Sequence, residues 1–194
     1  MATSTFKATN YSAEEFVESC GAILFDFSGP APQVGLVYYK PKDEWLLAKG
    51  RRNCGESRHA ATLREIEEET GYRCHLFPIT MPTRAPASAE KSSVPDQPRL
   101  YPDLTEPFMV TVREVDGKAN VKIIWWYIAE VTSTDRASGG EGEEAFTSQF
   151  FNTEDAIQKL TFCSDRQILK KAIDLTEEQA YEGSRILNPD GRQK

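Results

Sequence analysis

Residues 57–72 constrain the fold more than any other stretch, because they read as one helix whose two sides carry opposite chemistry. Neighbours three and four places apart on a helix share a face. Glu65, Glu68 and Glu69 then lie within roughly 100° of arc, while Leu63, Ile66, Thr70 and the stem of His59 cluster about 150° away. Such a helix docks on an apolar layer and presents its acids. Ser57 is placed to cap its start, and Thr70 ends it. Three carboxylates this close raise one another's pKa unless a cation holds them ionised. Arg64 reaches Glu68 across one turn, and a hard divalent ion such as Mg²⁺ answers the same need while sharing its shell with substrate phosphates.

The flanking sequence supplies the layer. Residues 18–27 and 33–39 alternate around the turn at 28–32 and read as a hairpin, and the short apolar run 45–48 delivers Gly50 into a loop before the helix. Residues 72–77 begin another strand. Residues 108–115 and 121–131 form a second hairpin about Asp116 and Gly117, and 123–128 are buried on both faces. Residues 153–160 and 165–175 read as helices. Mixed strands with helices on their faces give an α/β fold. We expect one domain over residues 18–175, after an extension at 1–17 and before a C-terminal helix and tail at 176–194, frayed from about Glu182. The proline-rich stretch 78–107 reads as a long loop or lid, in which Arg84, Lys91 and Arg99 can meet phosphates.

Composition narrows the function. With 194 residues, 39% of them hydrophobic, the chain can bury one core and falls short of two full-sized ones. It carries neither a membrane-length apolar run nor the apolar core of a secretory signal, so we expect a cytoplasmic protein that can also be nuclear. Cys20, Cys54, Cys74 and Cys163 are scattered without a Cys-x-x-Cys pair, which argues against disulfides and zinc. The net charge of -7 excludes broad binding to duplex nucleic acid. Residues 38–58 run the other way. Lys40, Lys42, Lys49, Arg51, Arg52 and Arg58 face only Asp43, Glu44 and Glu56. A basic loop in an acidic chain calls for a small polyanionic ligand, and Lys49, Arg51 and Arg52 are its candidate phosphate contacts.

The spacing is more specific still. Gly50, five residues, Glu56, seven residues, Arg64-Glu65-Ile66, one residue, Glu68-Glu69, one residue, Gly71 and Tyr72 resembles the Nudix hydrolase signature, with Tyr72 where an aliphatic residue is usual. Seven such identities coincide by chance about once in 10⁸ windows. The resemblance implies an α/β/α sandwich with a mixed sheet and a catalytic loop-helix-loop that hydrolyses a nucleoside diphosphate linked to another group. By position it makes Glu65, Glu68 and Glu69 ligands of Mg²⁺ or Mn²⁺, Glu56 a further ligand or loop support, Arg64 the residue that orients a carboxylate, and Gly50 and Gly71 the turns.

Within that family, Trp45-Leu-Leu-Ala48-Lys49-Gly50, Glu144 and the run from Phe150 to Phe162 resemble the branch of diadenosine polyphosphate and diphosphoinositol polyphosphate hydrolases, with Ala48 in place of a usual proline. The resemblance implies hydrolytic attack at phosphorus with Glu68 and Arg64 in the machinery. The general base is Glu69 or an acid of the later loop, where Glu144 is preferred over Glu141 and Glu143. Tyr38, Tyr39, Trp45 and Tyr101 are available to stack on a base. Other readings are a Nudix hydrolase of a nucleotide sugar, NADH or an mRNA cap, and a Nudix module that senses its ligand without turnover.

Overall fold

The computed structural model describes residue 6 and residues 8–87, 94–114, 120–133 and 145–187, with side chains followed as far as Tyr181. Ten strands and three helices are built from them. The strands are β1 (Phe16–Asp26), β2 (Gln33–Tyr39), β3 (Glu44–Leu46), β4 (Lys49–Arg51), β5 (Cys74–Leu76), β6 (Ile79–Thr83), β7 (Arg99–Leu104), β8 (Met109–Glu114), β9 (Val121–Val131) and β10 (Phe146–Asn152); the helices are α1 (Arg58–Thr70), α2 (Thr153–Lys159) and α3 (Cys163–Leu187).

The long strands β1 and β9 pair in parallel from Phe16 with Val121 to Phe25 with Glu130, and form the middle of an eight-stranded mixed sheet ordered β10-β2-β1-β9-β5. β3 joins β2, β4 joins β1 and β8 joins β9, each antiparallel. Alternation along β1 assigns the two faces. Ala22 and Leu24 pack with Ile66 of α1, whereas Ile23 and Phe25 pack with Leu169 and Ala172 of α3. A central strand buried on both faces from Cys20 to Phe25 needs helices on both sides, and this one has them. The result is the α/β/α sandwich that the sequence led us to expect, and both hairpins fall where the alternation placed them. The expected turn at Asp116 and Gly117 lies outside the described residues. No helix among the described residues is long and apolar enough to cross a membrane.

Three expectations change. The stretch 78–107 is more than a loop, since β6 and β7 pair as a separate two-stranded ribbon with an irregular register after Ile79. Ile79 and Met81 are buried in the core on the α3 side, and Gln179 of α3 bonds the Thr80 N–H at 2.8 Å and the Pro78 carbonyl at 3.2 Å. Pro82 and Pro102 lie within this ribbon, where each strand has a free edge that spares a donor. The helix expected at 165–175 continues through Glu182 to Leu187, so no break separates the domain from a C-terminal helix. On α1 the buried residues are Ala61, Thr62, Glu65, Ile66 and Thr70; Leu63 is half-buried and His59 is exposed, its ring edge-on to Tyr127.

Ser57 caps α1 through the Ala60 N–H at 3.1 Å, and Gly71 closes it at φ 77°, a backbone angle that residues with a Cβ resist. Because Ile66 is fully buried and Leu63 is not, Ile66→Ala is expected to cost about 2–4 kcal/mol in urea unfolding and Leu63→Ala less than half of that. Equal losses would show that the helix docks on a different face.

Candidate active site

Strand β4 carries Gly50 against the flank of α1. A Cβ on Gly50 would fall inside the Glu65 carboxylate, so only a residue without a side chain allows this approach. Glu65 is consequently 8% exposed, so the three acids that share one arc of the helix are presented unequally: Glu65 buried, Glu69 partly buried and Glu68 exposed. Burial pushes its carboxyl above the usual range, and Arg64 pulls the other way.

Arg64 is the hub. Its Nε and Nη2 donate to the two oxygens of Glu56 at 2.8 and 3.0 Å, and its Nη1 donates to Glu65 at 2.7 Å and Glu68 at 2.8 Å. Nη2 also donates to the Arg51 carbonyl at 3.0 Å, tying the helix to β4. The fork on Arg64 and the Asn53 N–H hold the Glu56 carboxyl down at about 2. Glu69 Oε2 accepts the Lys49 N–H at 2.7 Å, and the Glu68 side chain is half-exposed. Arg64 thus gathers Glu56, Glu65 and Glu68 around one cation while Glu69 is tied to β4, and among the described residues no group of three or more such side chains is arranged to hold a metal ion as it stands. This all-carboxylate set suits a hard divalent ion, and the guanidinium already bridging three of its acids is a cationic stand-in.

The strand registers sort the basic residues. Lys49 lies opposite Gly21, which lies opposite Trp126, so Lys49 and Arg51 face the α3 side of the sheet. Lys122 and its cross-strand partner Arg113 share that side. Burial lowers the Lys122 amine below its ordinary pKa, and Lys49, Arg113 and Arg51 lower it further, while Glu69 opposes them. Asp165, 4% exposed in the first turn of α3, lies 3.8 Å from Arg113 Nη2 and is raised by burial against the pull of Arg113 and Lys49. On the same side Ser19 is fully buried, and its hydroxyl has no partner among the described residues.

Arg52 differs from the sequence expectation. Its Nε donates to Glu18 at 2.9 Å and its Nη1 to the Glu56 carbonyl at 2.9 Å, so it braces the loop from the α1 side. Glu18 also accepts from Arg58 and from Trp125 Nε1 at 2.8 Å. Tyr38, Trp45 and Phe151 pack in series, and Tyr39 packs on Phe146. Glu144, Glu141, Glu143 and Lys91 lie outside the described residues. Glu18, Lys122, Arg113 and Asp165 were missed by sequence reasoning. A signal for Lys122 was present, since it is the single charge interrupting the run Val121–Ala129.

Two outcomes test this architecture. Gly50→Ala is expected to displace Glu65 and abolish activity while α1 persists by circular dichroism. Burial alone would raise the Glu18 carboxyl, but its bonds from Arg58, Trp125 and Arg52 hold it below 4.5. A carboxyl more acidic folded than unfolded stabilises fully above the unfolded value and loses that effect as pH falls through the folded one. Glu18→Gln should thus cost about 1.5–3 kcal/mol at pH 7, a difference that shrinks progressively as pH drops from 4.5. A pH-independent loss would mean that the ion pairs contribute nothing.

The comparisons with known proteins agree with this geometry. The family model described as NUDIX domain matches residues 17–171, most of the chain. Among solved structures, two of an Ap4A hydrolase from C. elegans align with 16% identity. One has a TM-score of 0.53 over 81% of this chain and 96% of that one; the other, a binary complex, has a TM-score of 0.57 over 84% and 98%. A Nudix-family hydrolase from Clostridium perfringens is 18% identical, with a TM-score of 0.54 over 82% and 97%. The box from Gly50 to Tyr72, the sandwich that carries it and the extent of the family match together place this chain in the Nudix hydrolases, as a pyrophosphohydrolase.

Proposed function

We propose that the chain is a divalent-metal-dependent hydrolase of phosphoanhydride bonds in highly anionic small molecules, namely dinucleoside polyphosphates, diphosphoinositol polyphosphates or both. The observation that carries this reading is the Lys122 amine, partly buried among Lys49, Arg51 and Arg113 and next to Glu69 of the acidic helix. The like charges around Lys122 disfavour its charged form, and an anion bound among them would relieve this. A polyphosphate chain supplies that charge and brings its anhydride to the carboxylates. The likeness to the C. elegans Ap4A hydrolase is compatible with one of these substrate classes. The acidic chain as a whole disfavours a duplex.

In this reading Glu65, Glu68 and Glu69 hold Mg²⁺ or Mn²⁺, and Glu56 supports them through Arg64. When bound, the ion neutralises charge developing on the anhydride oxygens and acidifies water. The protein's own groups do the rest. Lys49, Arg51, Lys122 and Arg113 grip the phosphates and orient the chain for in-line attack. The Lys49 N–H fixes Glu69 by one oxygen, so that its carboxylate meets the attacking water in a set orientation and takes the proton. Glu144 is the alternative base. Arg52 acts as a brace.

Glu68→Gln and Glu69→Gln are each expected to lower kcat at least a hundredfold in Mg²⁺, about 2.7 kcal/mol of barrier, with unchanged circular dichroism. Near-normal turnover in both would remove the helix from the mechanism. Lys122→Gln should raise KM for polyphosphates at least fivefold, with a shallower dependence on salt. A Mg²⁺ activity panel of diadenosine polyphosphates, diphosphoinositol phosphates, nucleotide sugars, NADH and capped RNA tests the substrate class; comparable slow turnover of all five would defeat it.

A further inference from the structure

Ser19, fully buried on β1, carries the one buried hydroxyl that lacks a hydrogen-bond partner among the described residues. The hydroxyls of Thr62 and Thr70 on α1 donate to the Arg58 and Ile66 carbonyls at 2.8 and 2.6 Å, a bond that helix geometry offers to any threonine. A strand offers no such bond. The backbone around Ser19 is directed in the plane of the sheet towards β4 and β9, while the side chain stands perpendicular to it. Thr111, on the same face of the sheet, is engaged by the Trp126 Nε1–H at 3.0 Å. A buried hydroxyl left without a partner opposes folding, so its retention calls for a role outside packing.

The surroundings say what that role is. Ser19 lies opposite Arg51 of β4 and Ile124 of β9, and Ile124 belongs to the core on the α3 side, so the hydroxyl faces that side. From Val17 to Ile23 it is the single polar side chain that β1 turns this way. Lys49 stands two residues before Arg51, Lys122 two residues before Ile124, and Arg113 opposite Lys122. Ser19 is thus on the floor of the sheet, with cations from β4 along one flank and cations from β9 and β8 along the other. The acids on this side, Glu69 and Asp165, are engaged by the Lys49 N–H and by the Ser164 hydroxyl, with Arg113 3.8 Å from Asp165. Ammonium and guanidinium heads reach a ligand on long rotatable stems, and a phosphate that gathers them leaves the floor open beneath.

We propose that the Ser19 hydroxyl is a further substrate-binding group, which donates a hydrogen bond to a non-bridging oxygen of the polyphosphate held by Lys49, Arg51, Lys122 and Arg113. The inference rests on the phosphate-binding role assigned to those four cations above. A donor fixed on a central strand sets how deep the phosphate seats, which flexible cations cannot do. Its hydrogen bond is made only in the complex, so the group opposes folding and favours binding. The test measures tripolyphosphate binding to the full chain by calorimetry in EDTA, for the wild type, Ser19→Ala and Lys122→Gln, with thermal unfolding of each chain free of ligand. Ser19→Ala is expected to bind about threefold more weakly or worse, the scale of one hydrogen bond, with a ligand-free Tm at or above that of the wild type. A loss below threefold overturns the proposal, and weaker binding by Lys122→Gln in the same series shows that the role of the cations stands without it. A lowered ligand-free Tm in Ser19→Ala also overturns it, because the hydroxyl then serves the fold. A wild-type chain that does not bind tripolyphosphate removes the role of the cations and this proposal together.

Discussion

The forked contact of Arg64 with Glu56, Glu65 and Glu68 is the interaction on which the rest of the site depends. Four carboxylates close to one helix repel strongly, and one guanidinium with fixed geometry can satisfy several of them at once. Its bond to the Arg51 carbonyl extends the arrangement to β4, and the Glu69 bond to the Lys49 N–H closes the same seam from the other end. Loop, helix and strand thereby become one body. One cation against Glu56, Glu65, Glu68 and Glu69 leaves an unmatched negative charge, the excess that the divalent ion of the proposed reading would answer.

The sheet divides the remaining chemistry by parity. Side chains one residue apart on a strand point to opposite faces, so the β1–β9 register decides which groups can meet. Lys122 and Arg113 join Lys49 and Arg51 on the α3 side. Glu18, Trp125 and Tyr127 share the α1 side with Arg52 and Arg58. A slip of one residue would exchange the two sets and destroy both. Long parallel pairing, with apolar side chains locked into cores above and below, makes such a slip prohibitive.

Local order explains what was legible. The Ser57 cap, the Gly71 stop and the helical spacing of the acids are all decided within a few residues, and each falls where the sequence placed it. The hairpins are legible for the same reason. The wheel fails where a neighbour from elsewhere in the chain intervenes: it gave the angle of Glu65 but not the presence of Gly50 against it. Lys122 and Asp165 join the site only through strand order and the docking of α3, which no local pattern encodes. The ribbon of β6 and β7 was hidden because its prolines read as breakers, whereas a two-stranded ribbon has outer edges that need no donor.

Glu65 shows what this arrangement costs. Burying a carboxylate beside a helix opposes its ionisation, and even a paired buried charge is seldom more stabilising than an apolar side chain of similar volume. A sequence shaped for stability alone would place leucine or methionine there, continuous with Ala61, Thr62 and Ile66. This chain instead keeps the acid, removes every side-chain atom from Gly50 to admit it, and devotes part of Arg64 to holding it. A local rule broken with two dedicated compensations is what the proposed role of Glu65 in the chemistry, and not packing, would require.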